Sequence, residues 1–154
     1  MNHEHNKQIK SNLLVVSADL PYIGGCGTNS YNILKQLSKI NSRYRTFGVF
    51  ITNIDGNENP DNLENIFKVN INSDIEKNLS VIKNNINNDF GEIDLILIKN
   101  YKSFVFVNRV FKDEEKLFLP SGLRCFTSKI DEGFNYQELY GRKYNALDFE
   151  FDIN

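Results

Sequence analysis

Three glycines within four positions, Gly24, Gly25 and Gly27, are the feature of this sequence that most directly suggests ligand chemistry. Glycines before a helix N-terminus let backbone N–H groups approach an anion closely, and the helix dipole favours negative charge there. A tight turn without a ligand is the structural alternative, but such a turn seldom needs three glycines. The cluster therefore predicts a substrate-binding loop, extended by Thr28 and Asn29, either of which could cap the following helix.

Polar residues also follow two later apolar runs. Lys99 and Asn100 come after the first of these runs, and Ser121, Gly122 and Arg124 come after the second. The carboxyl ends of parallel strands share one edge of a sheet, so these segments are predicted to lie beside the glycine cluster and to bind substrate. Lys99 could contact a phosphate or a carboxylate, although a lysine at a strand end is more often solvated.

The elements that must position these residues alternate between strand and helix patterns. Strands are predicted at Leu13–Val16, Phe47–Ile51, Ile66–Ile71, Ile93–Ile98 and Leu117–Leu119, with a late edge strand at 149–153. The helical stripes are Ile33, Leu34, Leu37 and Ile40, then Ile75, Leu79, Ile82 and Ile86 after a Ser73–Glu76 capping box, then Tyr101–Phe111. This alternation predicts an α/β fold, a Rossmann-like doubly wound parallel sheet with helices on both faces. Residues 1–11 are predicted to be a disordered tail and residues 12–154 one domain.

The composition excludes several functional classes. A net charge of −2 over 154 residues is not that of a general nucleic-acid binder, and no apolar run is long enough to span a membrane. Cys26 and Cys125 match no metal-ligand spacing, which predicts reduced thiols and a cytoplasmic location without a metal. Both histidines, His3 and His5, lie in the tail, so no nucleophile–histidine–acid set is expected. The acidic run 113–115 is interpreted as a solvated helix end.

A dinucleotide site is the main alternative interpretation of the glycine cluster. Gly25-Cys26-Gly27 begins like the dinucleotide-binding fingerprint, and Asp55 could act as the ribose-binding acid after the second strand. The third glycine of that motif would fall at Ser30, and the loop from Val16 to Gly25 is long for it. We therefore predict no cofactor, and we expect Cys26 to be a small residue packed beside the glycines.

The stretch Leu13–Ile40 resembles the opening of GT-B glycosyltransferases of the family 4 type. The resemblance consists of an apolar strand, then Asp19-Leu20-Pro21, then Gly24-Gly25, then a helix bearing Asn29, Tyr31 and Leu37. Asp94–Lys99 resembles the fourth strand of those enzymes, and Lys116–Arg124 resembles the strand and loop that follow. The similarity covers most of Leu13–Arg124.

The resemblance implies the N-terminal, acceptor-side domain of a retaining hexosyltransferase-like enzyme of carbohydrate metabolism. Its partners would be a nucleotide-sugar donor, a sugar or glycan acceptor and a second Rossmann-like domain in cis or in trans, without a metal cofactor. Many family members carry a histidine where this chain has Lys99 and Asn100, and the half bearing paired glutamates is missing. The catalytic residues are therefore unknown, and the chain alone is predicted to be inactive. It could be a fragment, a split-enzyme subunit or a degenerate module, and donor, acceptor and stereochemistry stay open.

Overall fold

The computed structural model describes residues 10–21, 25–40 and 43–119, which form a parallel sheet with helices on both faces. Along the chain the elements are β1 (Ser11–Ala18), α1 (Gly25–Ile40), β2 (Tyr44–Thr52), β3 (Ile66–Asn70), α2 (Ile75–Phe90), β4 (Leu95–Ile98), α3 (Tyr101–Val110) and β5 (Lys116–Phe118). The strand order is β3-β2-β1-β4-β5, with every neighbouring pair parallel. The predicted Rossmann-like fold class is confirmed. The predicted late strand at 149–153 lies outside the described residues.

The central strand β1 is buried on both faces, as its continuous apolar run predicts. Leu14 and Val16 belong to the cluster under α2 and α3, whereas Leu13 and Val15 belong to the cluster under α1. This division follows from the strand geometry, because successive side chains point to opposite faces. β1 begins at Ser11, the last residue of the predicted tail, and Ser11 pairs with Tyr44 of β2.

The face covered by α2 and α3 holds the larger core. Its fully buried side chains include Phe47, Leu79, Ile86 and Phe111. Burying one such side chain contributes roughly 1.5–3 kcal/mol to folding. This face of the sheet is therefore built chiefly for stability.

The opposite face is covered by α1 and by the long loop 53–65, which stands where a doubly wound sheet usually has a second helix. Tyr31 on α1 holds this loop: its hydroxyl accepts a hydrogen bond from the Asp61 amide at 2.8 Å and donates one to Asn59 Oδ1 at 3.2 Å. Lys35 pairs with the Asp61 carboxylate at 3.2 Å, and Leu63 packs against the core. The loop thus replaces a helix as the cover of β2 and β3.

The start of α2 differs by one residue from the predicted capping box. Asp74, not Ser73, is the N-cap, and its side chain accepts a hydrogen bond from the Lys77 amide at 3.1 Å. Ser73 instead donates to the Asn70 carbonyl oxygen, in the turn that ends β3. Gly91 ends the helix with a φ of 95°, a left-handed value that favours glycine.

Asn12 joins β1 to the end of α2 at the amino edge of the sheet. Its Nδ2 donates to the carbonyl oxygens of Phe90, at 3.1 Å, and Glu92, at 2.9 Å. Its backbone N–H donates to Asp94 Oδ2 at 2.7 Å, and its carbonyl oxygen accepts from the Asp94 amide at 2.9 Å. The side chain is buried, so these bonds tie the N-terminal strand firmly to the segment before β4.

The acidic run 113–115 follows the end of α3, and Asp113 and Glu115 are exposed as the sequence predicted, whereas Glu114 is not. Glu114 is partly buried, and its Oε1 lies 2.9 Å from Lys83 Nζ on α2. Burial alone would raise the pKa of Glu114, but hydrogen bonds from Lys83 and from the backbone, together with the Lys83 charge, lower this pKa below its ordinary value. Lys83 also donates to the Val110 carbonyl oxygen at 3.3 Å. The pair therefore connects α2 to the end of α3.

Among the described elements, no helix combines the length and the apolar character needed to cross a bilayer.

Candidate functional site

The carboxyl ends of β1 and β4 form the point at which the strand order reverses. From β1 the chain passes through α1 to β2 on one side, and from β4 it passes through α3 to β5 on the other. The helices that follow these two neighbouring strands lie on opposite faces of the sheet, so a crevice opens between their N-termini. This crevice is where an open α/β sheet binds its ligand.

A buried polar layer lies at this end of the sheet on the face that α1 covers. Because side chains alternate along a strand, every second residue faces α1. From the amino to the carboxyl end these residues are Leu13, Val15 and Ser17 on β1, and Leu95 and Leu97 on β4 followed by Lys99. The Lys99 amide donates to the Val16 carbonyl oxygen at 3.1 Å, which extends the β1–β4 ladder by one residue. Ser17 and Lys99 expose 0% and 7% of their surface. Towards the carboxyl end of the strands, the apolar side chains on this face are therefore followed by a buried serine and a buried lysine.

The first turn of α1 lies directly over the end of β4. Gly25 is the first residue of the helix and is exposed, whereas Cys26 is buried. The Cys26 thiol donates to the Lys99 carbonyl oxygen at 3.7 Å, and Ser30 Oγ donates to the Cys26 carbonyl oxygen at 2.8 Å. Cys26 is therefore packed where the sequence predicted. The contact with Lys99 brings together two segments that are far apart in sequence.

Gly27 is required by the packing of the backbone. A Cβ at this position would lie 2.9 Å from the Asp19 carbonyl oxygen and closer still to that of Leu20. The loop after β1 therefore passes against α1 at a distance that only glycine permits. Asp19 itself has a φ of 63°, so this loop turns through the left-handed region. Close packing alone explains why this residue is glycine, and a ligand contact at Gly27 stays a prediction.

The start of α3 supplies the other side of the crevice. Asn100 is the N-cap, and its Oδ1 accepts a hydrogen bond from the Ser103 amide at 3.2 Å. Ser103 is buried, and its Oγ has no hydrogen-bond partner within the part of the chain that the structure describes. Asn100 therefore caps α3. The substrate contact predicted for Asn100 would have to form while this hydrogen bond is kept. Ser103 was not predicted from the sequence, because a serine in the first turn of a helix carries no sign of its burial.

The remaining predicted site residues divide into three groups. Thr28 and Asn29 lie inside α1, so neither caps it as predicted; Thr28 is partly exposed and Asn29 is exposed beside Asn32 and Ile33. Asp55 lies on the exposed loop after β2, with Oδ1 4.0 Å from Lys68 Nζ. Four predicted substrate-binding residues lie outside the described residues, namely Gly24, Ser121, Gly122 and Arg124.

The geometry departs from a dinucleotide site at two points. Six residues, 19–24, separate the end of β1 from the start of α1, whereas the dinucleotide motif turns sharply off its strand. β2 ends at Thr52, so Asp55 stands three residues beyond the strand, on an exposed loop. Ser30, at the place of the third glycine, lies buried inside α1.

Charge at the crevice comes from Lys99. The ion pairs within the described ranges are Lys35–Asp61, Lys68–Asp55, Lys83–Glu114 and Arg109–Glu76, and Lys99 belongs to none of them. The described residues also contain no group of three histidine, cysteine or acidic side chains arranged to hold a metal ion. The chemistry that these residues offer is therefore anion and hydroxyl recognition.

Comparison of the chain with protein-family models, with curated proteins and with solved structures gave no match. The geometry of the site itself therefore carries the functional interpretation.

Proposed function

We propose that this chain is the acceptor-side half of a GT-B-type glycosyltransferase, which transfers a sugar from a nucleotide-sugar donor to an acceptor. The proposal is supported by the parallel order β3-β2-β1-β4-β5, which brings the glycine-led start of α1 to the switch point. The resemblance of Leu13–Arg124 to the family 4 pattern supports it independently of the structure.

One observation carries the proposal, namely the polar layer at the carboxyl edge. Ser17 and Lys99 are buried there above leucine and valine layers, and the exposed Gly25 begins α1 beside them. A purely structural end of a sheet would have its buried polar groups paired within the fold. Lys99 has no such partner among the described residues, so this edge is suited to a ligand held between two domains.

The described residues lack the groups that complete transfer. Catalysis between two domains depends on groups that each side positions against the reacting sugar. Histidine is absent from residues 10–21, 25–40 and 43–119, and the nucleotide-binding half would have to supply the diphosphate site. The chain therefore works with a second Rossmann-like domain, in cis or in trans, that closes over the carboxyl edge. Cys26 is buried as a thiol rather than in a disulfide, which is compatible with a reducing, cytoplasmic setting.

A nucleotide-release assay tests the proposal. The purified chain is incubated with UDP-, GDP- and ADP-linked sugars, alone and with a candidate second half encoded by the same gene or a neighbouring one. We expect no release from the chain alone and donor-dependent release after the second half is added. The second half alone serves as the control. Turnover by the chain alone would show that the donor site is within it, and continued silence with the correct half would favour a binding module without activity.

Calorimetric titration with NAD and NADP separates the proposal from the dinucleotide alternative. Because the β1–α1 loop is long and Ser30 replaces the third glycine, we expect no binding of either cofactor. Micromolar affinity for one of them would replace the glycosyltransferase proposal by a dinucleotide-binding domain.

A further inference from the structure

A lysine buried without a counter-ion lies at the candidate site. Lys99 exposes 7% of its surface, yet no hydrogen bond or ion pair to its ammonium is formed by the residues that the structure describes. The buried part of this residue is its stem, whereas the ammonium keeps contact with solvent, since the buried side-chain atoms without a hydrogen-bond partner among the described residues are Asn12 Oδ1, Ser103 Oγ and Glu114 Oε2. An ammonium with no counter-ion in the described fold can pair with an oxyanion. The position therefore suits an anion that is not part of the described fold.

The helix beside Lys99 favours the same kind of ligand. The contact between Cys26 Sγ and the Lys99 carbonyl oxygen places the first turn of α1 at this residue. The first turn contains no acidic side chain that would offset the positive end of the helix dipole. Lys99, without a counter-ion in the described fold, and the positive end of α1 thus lie at the same edge of the sheet.

The apolar residues below Lys99 limit the directions that its side chain can take. On the same face lie Leu97 and Val15, both buried in the apolar cluster under α1. An ammonium is disfavoured in such a layer, so we expect the Lys99 side chain to extend towards the carboxyl edge with its aliphatic stem packed. The charge would then lie at the crevice of the switch point.

We infer that Lys99 and the first turn of α1 bind an oxyanion, a phosphate or a carboxylate group, on the acceptor substrate. That the anion belongs to an acceptor rests on the proposed function, whereas the anion site rests on Lys99 and α1 alone. The acceptor class is therefore a phosphorylated or acidic sugar, and a neutral glycan is excluded.

Nuclear magnetic resonance titration of the ¹⁵N-labelled full chain tests the anion site. The probes are glucose 6-phosphate, glucuronate and, as the neutral reference, glucose. We expect saturable shifts of the Cys26 and Gly27 amides with at least one anionic probe and none with glucose. Lys99→Met, which keeps the stem and removes the charge, should weaken binding at least tenfold. Lys116→Met, at the start of β5 and therefore at the opposite edge, should leave binding unchanged.

The outcomes separate the sources of the anion and the two proposals. Binding of glucose 6-phosphate alone identifies a phosphorylated ligand, and binding of glucuronate alone identifies an acid. Equal binding by Lys99→Met, or silence of the α1 amides with both anions, overturns the anion site. The measurement does not require transfer, so anion binding without turnover in the assembled enzyme would refute only the proposed function. If Lys99→Met does not fold, Lys99→Gln takes its place.

Discussion

The two edges of the sheet differ in how their buried polar side chains are bonded. At the amino edge, Asn12 donates both Nδ2 hydrogens to backbone carbonyl groups that close the α2–β4 connection, and only its Oδ1 has no partner among the described residues. At the carboxyl edge, Lys99 is about as well buried, yet only its backbone atoms are bonded within the described fold. Asn12 belongs to β1 and Lys99 is bonded to β1 through its amide, and their exposures alone would not distinguish them.

This difference assigns the two edges to different tasks. A buried polar group with its partners in the fold strengthens one arrangement of the chain, because leaving the partners without hydrogen bonds is costly. A lysine without a counter-ion in the described fold adds no such bond and is available to a ligand. We therefore interpret the amino edge as structural and, under the proposed function, the carboxyl edge as the ligand-binding end. The following substitutions test that division.

The largest effect on stability is expected from Gly27→Ala. The new Cβ would overlap the carbonyl oxygens of Asp19 and Leu20, and backbone atoms cannot move aside as a side chain can. We expect the free energy of unfolding to fall by about 3 kcal/mol or more, measured by urea denaturation. Gly25→Ala is the matched control, because Gly25 is exposed at the start of the same helix, and its cost should stay below about 1 kcal/mol. Equal costs at the two positions would contradict the close approach of the β1–α1 loop.

Asn12→Ala should have the next largest effect on stability, because it removes the side-chain hydrogen bonds at the amino edge. The carbonyl groups of Phe90 and Glu92 would lose their donor, at a cost of about 2–3 kcal/mol. Asn88→Ala on the exposed side of α2 is the control and should change stability by less than about 0.5 kcal/mol. Thermal unfolding of both variants gives the comparison. If Asn12→Ala were as stable as its control, the structural role of this edge would be wrong.

Acidification should weaken the link between α2 and the end of α3. The pKa of Glu114 is lowered in the fold, so its contribution is present at neutral pH and is lost as pH falls from about 4.5 through the lowered folded-state pKa. Glu114→Gln should cost about 1 kcal/mol at pH 7 and should remove this part of the acid dependence. Denaturation series at pH 7 and pH 3 measure both effects. A variant whose stability falls with acid as steeply as that of the unsubstituted chain would show that the Lys83–Glu114 pair is not responsible.

The smallest change in stability, with the largest change in function, is expected from Gly25→Val. An exposed first residue of α1 tolerates a side chain, so the melting temperature should fall by only a few degrees, about 1 kcal/mol or less. If its backbone approaches the substrate, transfer by the assembled enzyme should nevertheless be abolished. Sugar transfer and melting temperature are measured on the same preparation. Full activity would remove Gly25 from the site, and loss of the fold would favour a purely structural turn.

Local patterns predicted most of the architecture because each element carries its own signal. The continuous apolar run at Leu13–Val16 indicated a strand buried on both faces, and the spacing of Ile75, Leu79, Ile82 and Ile86 indicated α2. Alternation of strands with helices then implied a parallel sheet, because parallel neighbours need crossover connections. Boundaries were less certain, since Ser73 and Asp74 are both competent caps and only the backbone geometry chose Asp74.

The candidate site was located by the sequence but not resolved by it. Polar residues after strands indicated that Lys99, Asn100 and the glycine cluster would share the carboxyl edge, and the structure places Cys26 against Lys99. The sequence predicted Lys99 as a substrate-binding residue but gave no sign of its burial, because that burial depends on α1, more than 70 residues earlier in the chain. It also gave no sign that the Ser103 hydroxyl has no partner among the described residues.

The sequence by itself therefore determined the elements and their alternation, and it predicted the edge at which a ligand would bind. Apolar periodicity and glycine placement act over a few residues, so they can be recognised without knowing the fold. Only the tertiary structure decided which buried polar side chains have partners. The hydrogen-bond partners of Asn12 come from residues 78 to 82 positions away in the chain. That Lys99 has no side-chain partner in the described fold becomes visible only when β1 and β4 are paired and α1 covers them. Hydrogen bonding and desolvation depend on that long-range arrangement, so the difference between the two edges of the sheet could not be read from the sequence.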